Sequence, residues 1–363
     1  MSSQHTPQDN PKMVETGQNG DSSQALEPDQ RYSRQVLFPG IGIEGQRRLA
    51  AANVAVVGCG ATGAAAASLL ARAGAGTINL IDRDFVEESN LQRQMLFDEA
   101  DALAALPKAE AGRRKIGLFN SAIHVNAQIA DLVPGNVHEL LRGADIILDG
   151  TDNFETRYLI NDYAVEQGVP WIYAAALGGY GATMNIVPGD TACLACLFPD
   201  SPSGVVETCD TAGILNTAVN LTASLQVTEA IKILVGAKAE LRRTLFAIDL
   251  WTNERSEISA DRPRTGCSVC GVRNFSRLRG EGRPHITLCG RNSVQIHEHH
   301  RPVDFAAMQS RLEAHGFVRH NDMLLRFQRG EHVITLFADG RALIQGTTDI
   351  AVARSLYARF IGS

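Results

Sequence analysis

The sequence has no excess of positive charge and no long, uninterrupted apolar run. Its 34 lysines and arginines are outnumbered by 40 aspartates and glutamates, which gives a formal net charge of −6. This balance argues against general nucleic-acid binding, which uses basic surfaces. No early apolar stretch resembles a signal peptide, and no run looks long and apolar enough to span a membrane. We therefore expect a cytoplasmic protein that binds neither nucleic acid nor membrane.

Large apolar residues are also scarce at the start of the chain. Residues 1–29 consist mainly of Gln, Ser, Asn, Asp, Pro and Gly. Such a segment buries too little apolar surface to offset the entropy lost on folding, so we expect it to be disordered. The whole chain has an ordinary globular composition: of 363 residues, 44% are hydrophobic and 20% are charged. This length allows a large core and about two domains.

A glycine-rich motif near residue 60 is the strongest local signal. An apolar run at 54–57 leads into three glycines and an Ala/Leu-rich segment at 64–73, and a second apolar run at 77–81 ends in Asp82. The glycines are Gly58, Gly60 and Gly63. Glycines let the backbone approach phosphate, the following helix offers unpaired N–H groups, and an acid after the second strand suits ribose hydroxyls. The pattern predicts a nucleotide site, in which NAD, FAD and ATP remain alternatives.

Polar and basic groups after the second run favour a triphosphate over a nicotinamide. They are Asp84, Ser89, Asn90, Arg93, Gln94 and, after Pro107, Lys108. Hydride transfer needs an apolar nicotinamide pocket, whereas basic and amide side chains suit triphosphate oxygens and the charge that develops as pyrophosphate leaves. A solvated loop is the other interpretation of these charges.

A second polar loop follows a predicted buried strand at residues 144–149. Its sequence, Gly-Thr-Asp-Asn at 150–153, lies where open α/β sheets bind ligands. Asp152 could hold Mg2+, which prefers one or two carboxylates together with phosphate oxygens. Asn153 suits the N-cap of a helix that begins at Phe154.

Four of the seven cysteines form two Cys-x-x-Cys pairs. They are Cys193 with Cys196 and Cys267 with Cys270. Each pair can bind one side of a tetrahedral ion, and four thiolates make a closed, structural Zn2+ site. The spacing between the pairs is far too long for a zinc ribbon, so the metal would join distant parts of a larger fold.

Five motifs together resemble the MoeB/ThiF family, the bacterial relatives of the ubiquitin-activating enzymes. They are RYSRQ (31–35), GCGATG (58–63), DRDFVEESNLQRQ (82–94), PKAE (107–110) and GTDNFETR (150–157). The resemblance covers about residues 30–273. It implies an adenylyltransferase that uses ATP and Mg2+ on the C-terminal Gly-Gly of a ubiquitin-like sulfur-carrier protein, for sulfur transfer in thiamin or molybdenum-cofactor biosynthesis.

The resemblance also implies roles for individual residues. Asp82 and Asn90 bind nucleotide, Arg93 and Lys108 offset phosphate charge, and Asp152 holds Mg2+. Arg34 reaches the ATP phosphates of the neighbouring subunit, which implies a homodimer. Cys209 matches a cysteine that can join covalently to the carrier, and the zinc of the four cysteines is structural and away from the reaction.

We expect an α/β fold with a Rossmann-like, mostly parallel mixed sheet and flanking helices. The domains would be a tail at 1–29, an ATP-binding adenylation domain at 30–273, and a small α+β accessory module at 274–363. Two other functions remain open. They are an NAD-dependent oxidoreductase, for which no His or Tyr stands out as the acid–base group, and a non-catalytic binding module of the same fold.

Overall fold

The computed structural model describes residues 28–199, 212–281, 287–288, 293–296, 303–338 and 340–362. The expected disorder of the N-terminal tail falls almost wholly outside these residues, and so does Cys209.

An eight-stranded mixed sheet forms the centre of the larger part of the chain. Its order is β3-β2-β1-β4-β5-β6-β7-β8, and the neighbours from β3 to β5 are parallel whereas those from β5 to β8 are antiparallel. The strands are β1 (Asn53–Val57), β2 (Thr77–Ile81), β3 (His124–Gln128), β4 (Ile146–Asp149), β5 (Trp171–Leu177), β6 (Tyr180–Ile186), β7 (Thr244–Asp249) and β8 (Arg255–Ser259). The mostly parallel, Rossmann-like sheet predicted from the sequence is confirmed.

Helices cover both faces of this sheet. They are α1 (Pro28–Arg31), α2 (Ser33–Val36), α3 (Gly42–Ala51), α4 (Ala61–Ala73), α5 (Glu99–Leu103), α6 (Lys108–Phe119), α7 (Val137–Leu140), α8 (Phe154–Gln167), α9 (Leu194–Leu197) and α10 (Asn216–Val235). Side chains of β1 alternate between two cores: Val54 and Val56 pack with α4, α6 and α10, whereas Ala55 and Val57 pack with α7 and α8. Burial on both faces explains why β1 is a continuous apolar run.

The strand order reverses between β1 and β4, which is where such sheets bind ligands. Val57, the last residue of β1, pairs with Ile81 of β2 and with Asp149 of β4. The carboxyl ends of β1, β2 and β4 therefore lie side by side at the same edge of the sheet. The loops that begin at Gly58, Asp82 and Gly150 consequently meet at one edge.

Helix α10 corrects one expectation from the sequence. Its 20 residues are long and apolar enough, by length and composition alone, to cross a membrane. The helix nevertheless packs on the sheet, and its polar Gln226 and Glu229 are buried within the chain. The Gln226 amide donates to the carbonyl oxygens of Asp149 and Ile172, both at 2.9 Å. These contacts are those of a core helix.

The N-terminal segment of the described chain is fixed to the C-terminal ends of α4 and α6. Asn120 donates to the Tyr32 hydroxyl at 2.9 Å, and Gln35 donates to the carbonyl of Ala73 at 2.8 Å. Arg34, between them on α2, is exposed and makes no hydrogen bond or ion pair with any described residue. The segment is therefore anchored with Arg34 facing outward.

The C-terminal module is built on a second, antiparallel sheet of order β11-β12-β13-β14-β10-β9. Its elements are β9 (Thr287–Leu288), β10 (Ser293–Ile296), α11 (Phe305–Leu312), β11 (Phe317–His320), β12 (Leu324–Arg329), β13 (His332–Phe337), β14 (Ala342–Gln345) and α12 (Ile350–Phe360). One sheet face packs on both helices, and Asp349 caps α12 by accepting from the Ala351 N–H at 2.7 Å.

The opposite face of the second sheet packs against the larger part of the chain. Leu324, Phe337 and Leu343 form one apolar cluster with Phe85 and Ala105. The Arg326 guanidinium also lies 4.6 Å above the Phe85 ring centroid. The module is thus packed on both faces of its sheet.

Candidate nucleotide site and cysteine cluster

The glycine loop is so tightly packed that side chains cannot fit beneath it. Gly58 has φ of +86°, and a Cβ there would lie 2.6 Å from the Gly150 carbonyl oxygen. A Cβ on Gly63 would lie 1.8 Å from the Gly58 oxygen, so Gly63 packs α4 beneath the loop and does not line the cleft. A Cβ on Gly60 would meet the Gly150 oxygen at an ordinary 3.9 Å, and Gly60 lines the cleft. The first N–H groups of α4 therefore face that space without intrahelical acceptors.

Asp82 joins this loop to the end of β2. One carboxylate oxygen accepts from the Cys59 N–H and the other from the Asp84 N–H, both at 2.6 Å. Burial raises the pKa of Asp82, while Lys108 acts in the opposite direction. Each oxygen keeps a lone pair that can accept from a ligand hydroxyl. Burial also raises the pKa of the Cys59 thiol, so this cysteine is a neutral packing group.

Lys108 is the first residue of α6 and lines the wall of the cleft that contains Asp84. Its Nζ lies 3.3 Å from Asp84 Oδ2, and its side chain is almost completely buried. The backbone N–H of Lys108 also donates to the Asp84 carbonyl at 2.8 Å. These two contacts hold the ammonium group at the cleft wall, where both residues line the space.

The turn after β2 adds four polar residues to the same wall. Asn90 accepts from the Glu87 N–H at 3.3 Å and closes this turn, in which Ser89 also lines the cleft. Arg93 donates to the Ser89 carbonyl at 2.9 Å. Gln94 is buried, lines the cleft, and its Oε1 has no hydrogen-bond partner in the described chain. An acceptor buried without a partner is costly, so this atom fits a ligand that donates a hydrogen bond.

The loop after β4 depends on an ion pair that the sequence analysis did not single out. Asp149 is fully buried and accepts from Arg157 Nε at 2.8 Å and from the Thr151 hydroxyl at 2.7 Å. Arg157 also donates to the carbonyls of Thr151 and Ala174. Its position in the GTDNFETR motif was the available signal. The pair fixes residues 150–153 against the glycine loop.

Asp152 and Asn153 take different positions in this fixed loop. Asn153 Oδ1 accepts from the Thr156 N–H at 2.8 Å and caps α8, as the sequence predicted. Asp152 is exposed at the cleft wall and accepts no hydrogen bond from any described residue. Its carboxylate is therefore available to a cation.

Together these loops enclose a cleft of about 610 Å³, a volume in the range of small-molecule sites. The cleft brings together nearly all the nucleotide-binding residues that the sequence predicted. Those that line it are Gly58, Gly60, Asp82, Asp84, Ser89, Asn90, Arg93, Gln94, Lys108, Asp152 and Asn153. Arg34 lies away from it, on the outside of α2.

The two Cys-x-x-Cys pairs meet on the face of the sheet that α7 and α8 cover. The sulfur atoms of Cys193, Cys196, Cys267 and Cys270 all lie within 4.8 Å of one another. Neighbouring pairs are 3.3 to 3.8 Å apart. Four sulfurs at about 2.3 Å from a tetrahedral Zn2+ would be about 3.8 Å apart, so the donor set fits this ion.

Comparison with known proteins identifies relatives of the chain. A model of the ThiF family matches residues 32–269. The sulfur carrier protein ThiS adenylyltransferase of Bacillus subtilis is 45% identical over 336 residues, which is 92% of this chain and 99% of that protein. The SAMP-activating enzyme E1 of Haloferax volcanii is 37% identical over 242 residues, covering 66% of this chain and 88% of that protein. Among solved structures, E. coli MccB with ATP has a TM-score of 0.58 and 27% identity, covering 66% of this chain and 74% of that one.

Proposed function

The chain belongs to the ThiF family, and we propose that it uses ATP to adenylate the C-terminal glycine of a ubiquitin-like sulfur-carrier protein. The observation that carries the proposal is the single cleft in which a glycine loop, Arg93, Lys108 and Asp152 meet. These groups suit a magnesium triphosphate. A carrier of the ThiS type is the first candidate, because a relative that matches over nearly its whole length is named for it.

In the proposed reaction, a carboxylate oxygen of the carrier attacks the α-phosphorus of ATP. The bond from that phosphorus to the oxygen that bridges to the β-phosphorus breaks, and pyrophosphate leaves. The N-terminus of α4 and the side chains of Arg93 and Lys108 stabilise the charge on the phosphates, and Asp82 holds the ribose. Most of the rate enhancement then comes from positioning and from charge stabilisation.

Asp152 is the residue that would hold Mg2+. Its exposed carboxylate fits a cation that prefers one or two protein carboxylates and keeps phosphate oxygens as its other ligands. When bound, the ion would neutralise part of the triphosphate charge. Cys209 stays a proposed attachment point for the carrier, in a segment outside the described residues.

Arg34 supports the proposal of a homodimer. It is exposed on α2, and the neighbouring Leu37 and Phe38 are 74% and 62% exposed. A second subunit that covers these apolar side chains would also face Arg34, and we propose that Arg34 reaches the partner's cleft. Arginine suits this role because its planar guanidinium binds phosphate oxygens bidentately.

Carrier-dependent exchange of labelled pyrophosphate into ATP tests the proposed function. We expect exchange with a purified ThiS-type carrier, and none with the same carrier lacking its terminal Gly-Gly. An oxidoreductase would instead bind NADH tightly and ATP–Mg2+ weakly. That result, with no exchange for any Gly-Gly carrier, would contradict the proposal.

We expect one zinc ion per chain, held by Cys193, Cys196, Cys267 and Cys270. Metal analysis of the purified protein should give a stoichiometry near one, and Cys270→Ser should lower it. Cys59→Ala is the matched control, because Cys59 is buried in the glycine loop, outside the cluster. Wild-type protein with free thiols and no zinc would disprove this assignment.

A further inference from the structure

Strand β14 of the C-terminal module lies against the nucleotide-binding part of the chain. Alternate residues of a strand point to opposite faces. Ala342 and Ile344 pack in the core of the module, so Arg341, Leu343 and Gln345 share the other face. That face is the one packed against the larger part of the chain.

Two contacts fix the position of this strand. Arg341 Nη2 donates to the carbonyl of Ile129, just after β3, at 3.4 Å. Leu343 packs with Phe85, just after β2. Gln345 is the next residue on the same face, and it therefore lies near the loops that follow β2 and β3.

Gln345 lines the cleft, and among the described residues of the module no other does so. Its backbone is held on both sides, by pairing with Ser293 of β10 and Val333 of β13. Its side-chain amide makes no hydrogen bond with any described residue, although it is partly buried. A fixed backbone thus presents to the cleft an amide donor and an amide acceptor that no described residue engages.

The strand order indicates which part of a nucleotide lies in the part of the cleft that Gln345 lines. Phosphates belong at the glycine loop between β1 and β4, and ribose belongs at Asp82 after β2. The base then extends toward the next strand, β3. Residues 130–132 follow β3 and line the cleft there. The carboxylate of Asp131 in this segment is paired with an arginine, since both its oxygens lie 2.9 Å from Arg83 Nη1.

We propose that the side-chain amide of Gln345 binds the adenine ring of ATP, so that the C-terminal module completes the nucleotide site. Adenine presents a donor at N6 beside an acceptor at N7, and a glutamine amide matches that pair with two hydrogen bonds. An oxo group in place of the N6 amino group leaves two adjacent acceptors, which the amide cannot satisfy together. Gln345 would therefore favour adenine over hypoxanthine.

Binding to the full-length protein by titration calorimetry tests this proposal without the carrier. The ligands are ATP, inosine triphosphate and tripolyphosphate, each with Mg2+. We expect Gln345→Ala to weaken ATP binding by about 5- to 30-fold, which corresponds to about 1–2 kcal/mol. Tripolyphosphate should bind both proteins equally, and the preference of the wild type for ATP over inosine triphosphate should disappear. Gln328→Ala, an exposed glutamine on β12 of the same module, is the matched control.

The inference rests on the proposed ATP site, but the two fail differently. If the wild type binds no ATP, the proposed function fails and the inference with it. If the wild type binds ATP and Gln345→Ala binds it equally, only the inference is overturned. Equal weakening of ATP and tripolyphosphate would also overturn it, because that result would mean a general distortion of the cleft. Unchanged zinc content and melting temperature establish that the variant is folded.

Discussion

Replacing Asp152 by asparagine should lower carrier-dependent ATP–pyrophosphate exchange by at least about 100-fold. The carboxylate lines the cleft, is exposed, and accepts no hydrogen bond from any described residue. The substitution therefore removes a negative charge that would hold Mg2+ without breaking a contact of the fold. The rate of exchange at saturating Mg2+ and carrier measures the effect, and zinc content and melting temperature should not change.

Asp322→Asn provides the control for this experiment. Asp322 is another exposed aspartate, but it lies in the turn between β11 and β12 and does not line the cleft. Its substitution should leave exchange at the wild-type rate. If Asp152→Asn also exchanged at nearly that rate, Asp152 would have no part in the reaction.

Mixing Arg34→Ala and Asp152→Asn proteins should restore activity that neither variant has alone. In a mixed dimer, one site carries both defects and the other carries neither, because Arg34 comes from one chain and Asp152 from the other. Random exchange of equal amounts makes half of the dimers mixed, so about a quarter of the wild-type activity should return. The exchange assay, repeated as the subunits mix, measures this recovery.

Arg47→Ala is the control for the arginine. Arg47 is exposed on α3, near Arg34 in sequence, and its contact is an ion pair with Glu44 in its own helix at 3.7 Å. It should keep full activity alone. Mixed dimers can be demonstrated by co-purification through two different affinity tags. Proven mixed dimers with no recovered activity would show that Arg34 acts within its own chain or not at all.

The nucleotide cleft could be predicted from sequence because its signals are local. Gly58 and Asp82 lie within one strand–helix–strand unit, whose apolar periods and glycine spacing specify the geometry. Asn153 likewise caps a helix that starts at the next residue. Such features need no knowledge of distant chain segments.

Features that depend on tertiary packing were missed. Strand β8 is exposed along its whole length and contains one apolar residue, Ile258, so its sequence shows no alternating apolar pattern. Its pairing with β7 makes it a strand. The partners of Arg157 converge only when β4, α8 and β5 come together. The role of Gln345 required knowing which face of the module lies against the cleft.

With the proposed Zn2+ bound, the cysteine cluster would close a large part of the chain into a ring. Cys193 and Cys267 are 74 residues apart in sequence, and the segment between them includes α10 and β7. A link of this span that persisted in the unfolded chain would restrict that chain, and the loss of entropy would stabilise the fold by on the order of 4 kcal/mol at room temperature. Inside the ring, Gln226 holds the carbonyl of Asp149 at the base of the second cleft loop. Loss of the metal would therefore weaken the support that Gln226 gives to the loop after β4, although the four sulfurs do not line the cleft.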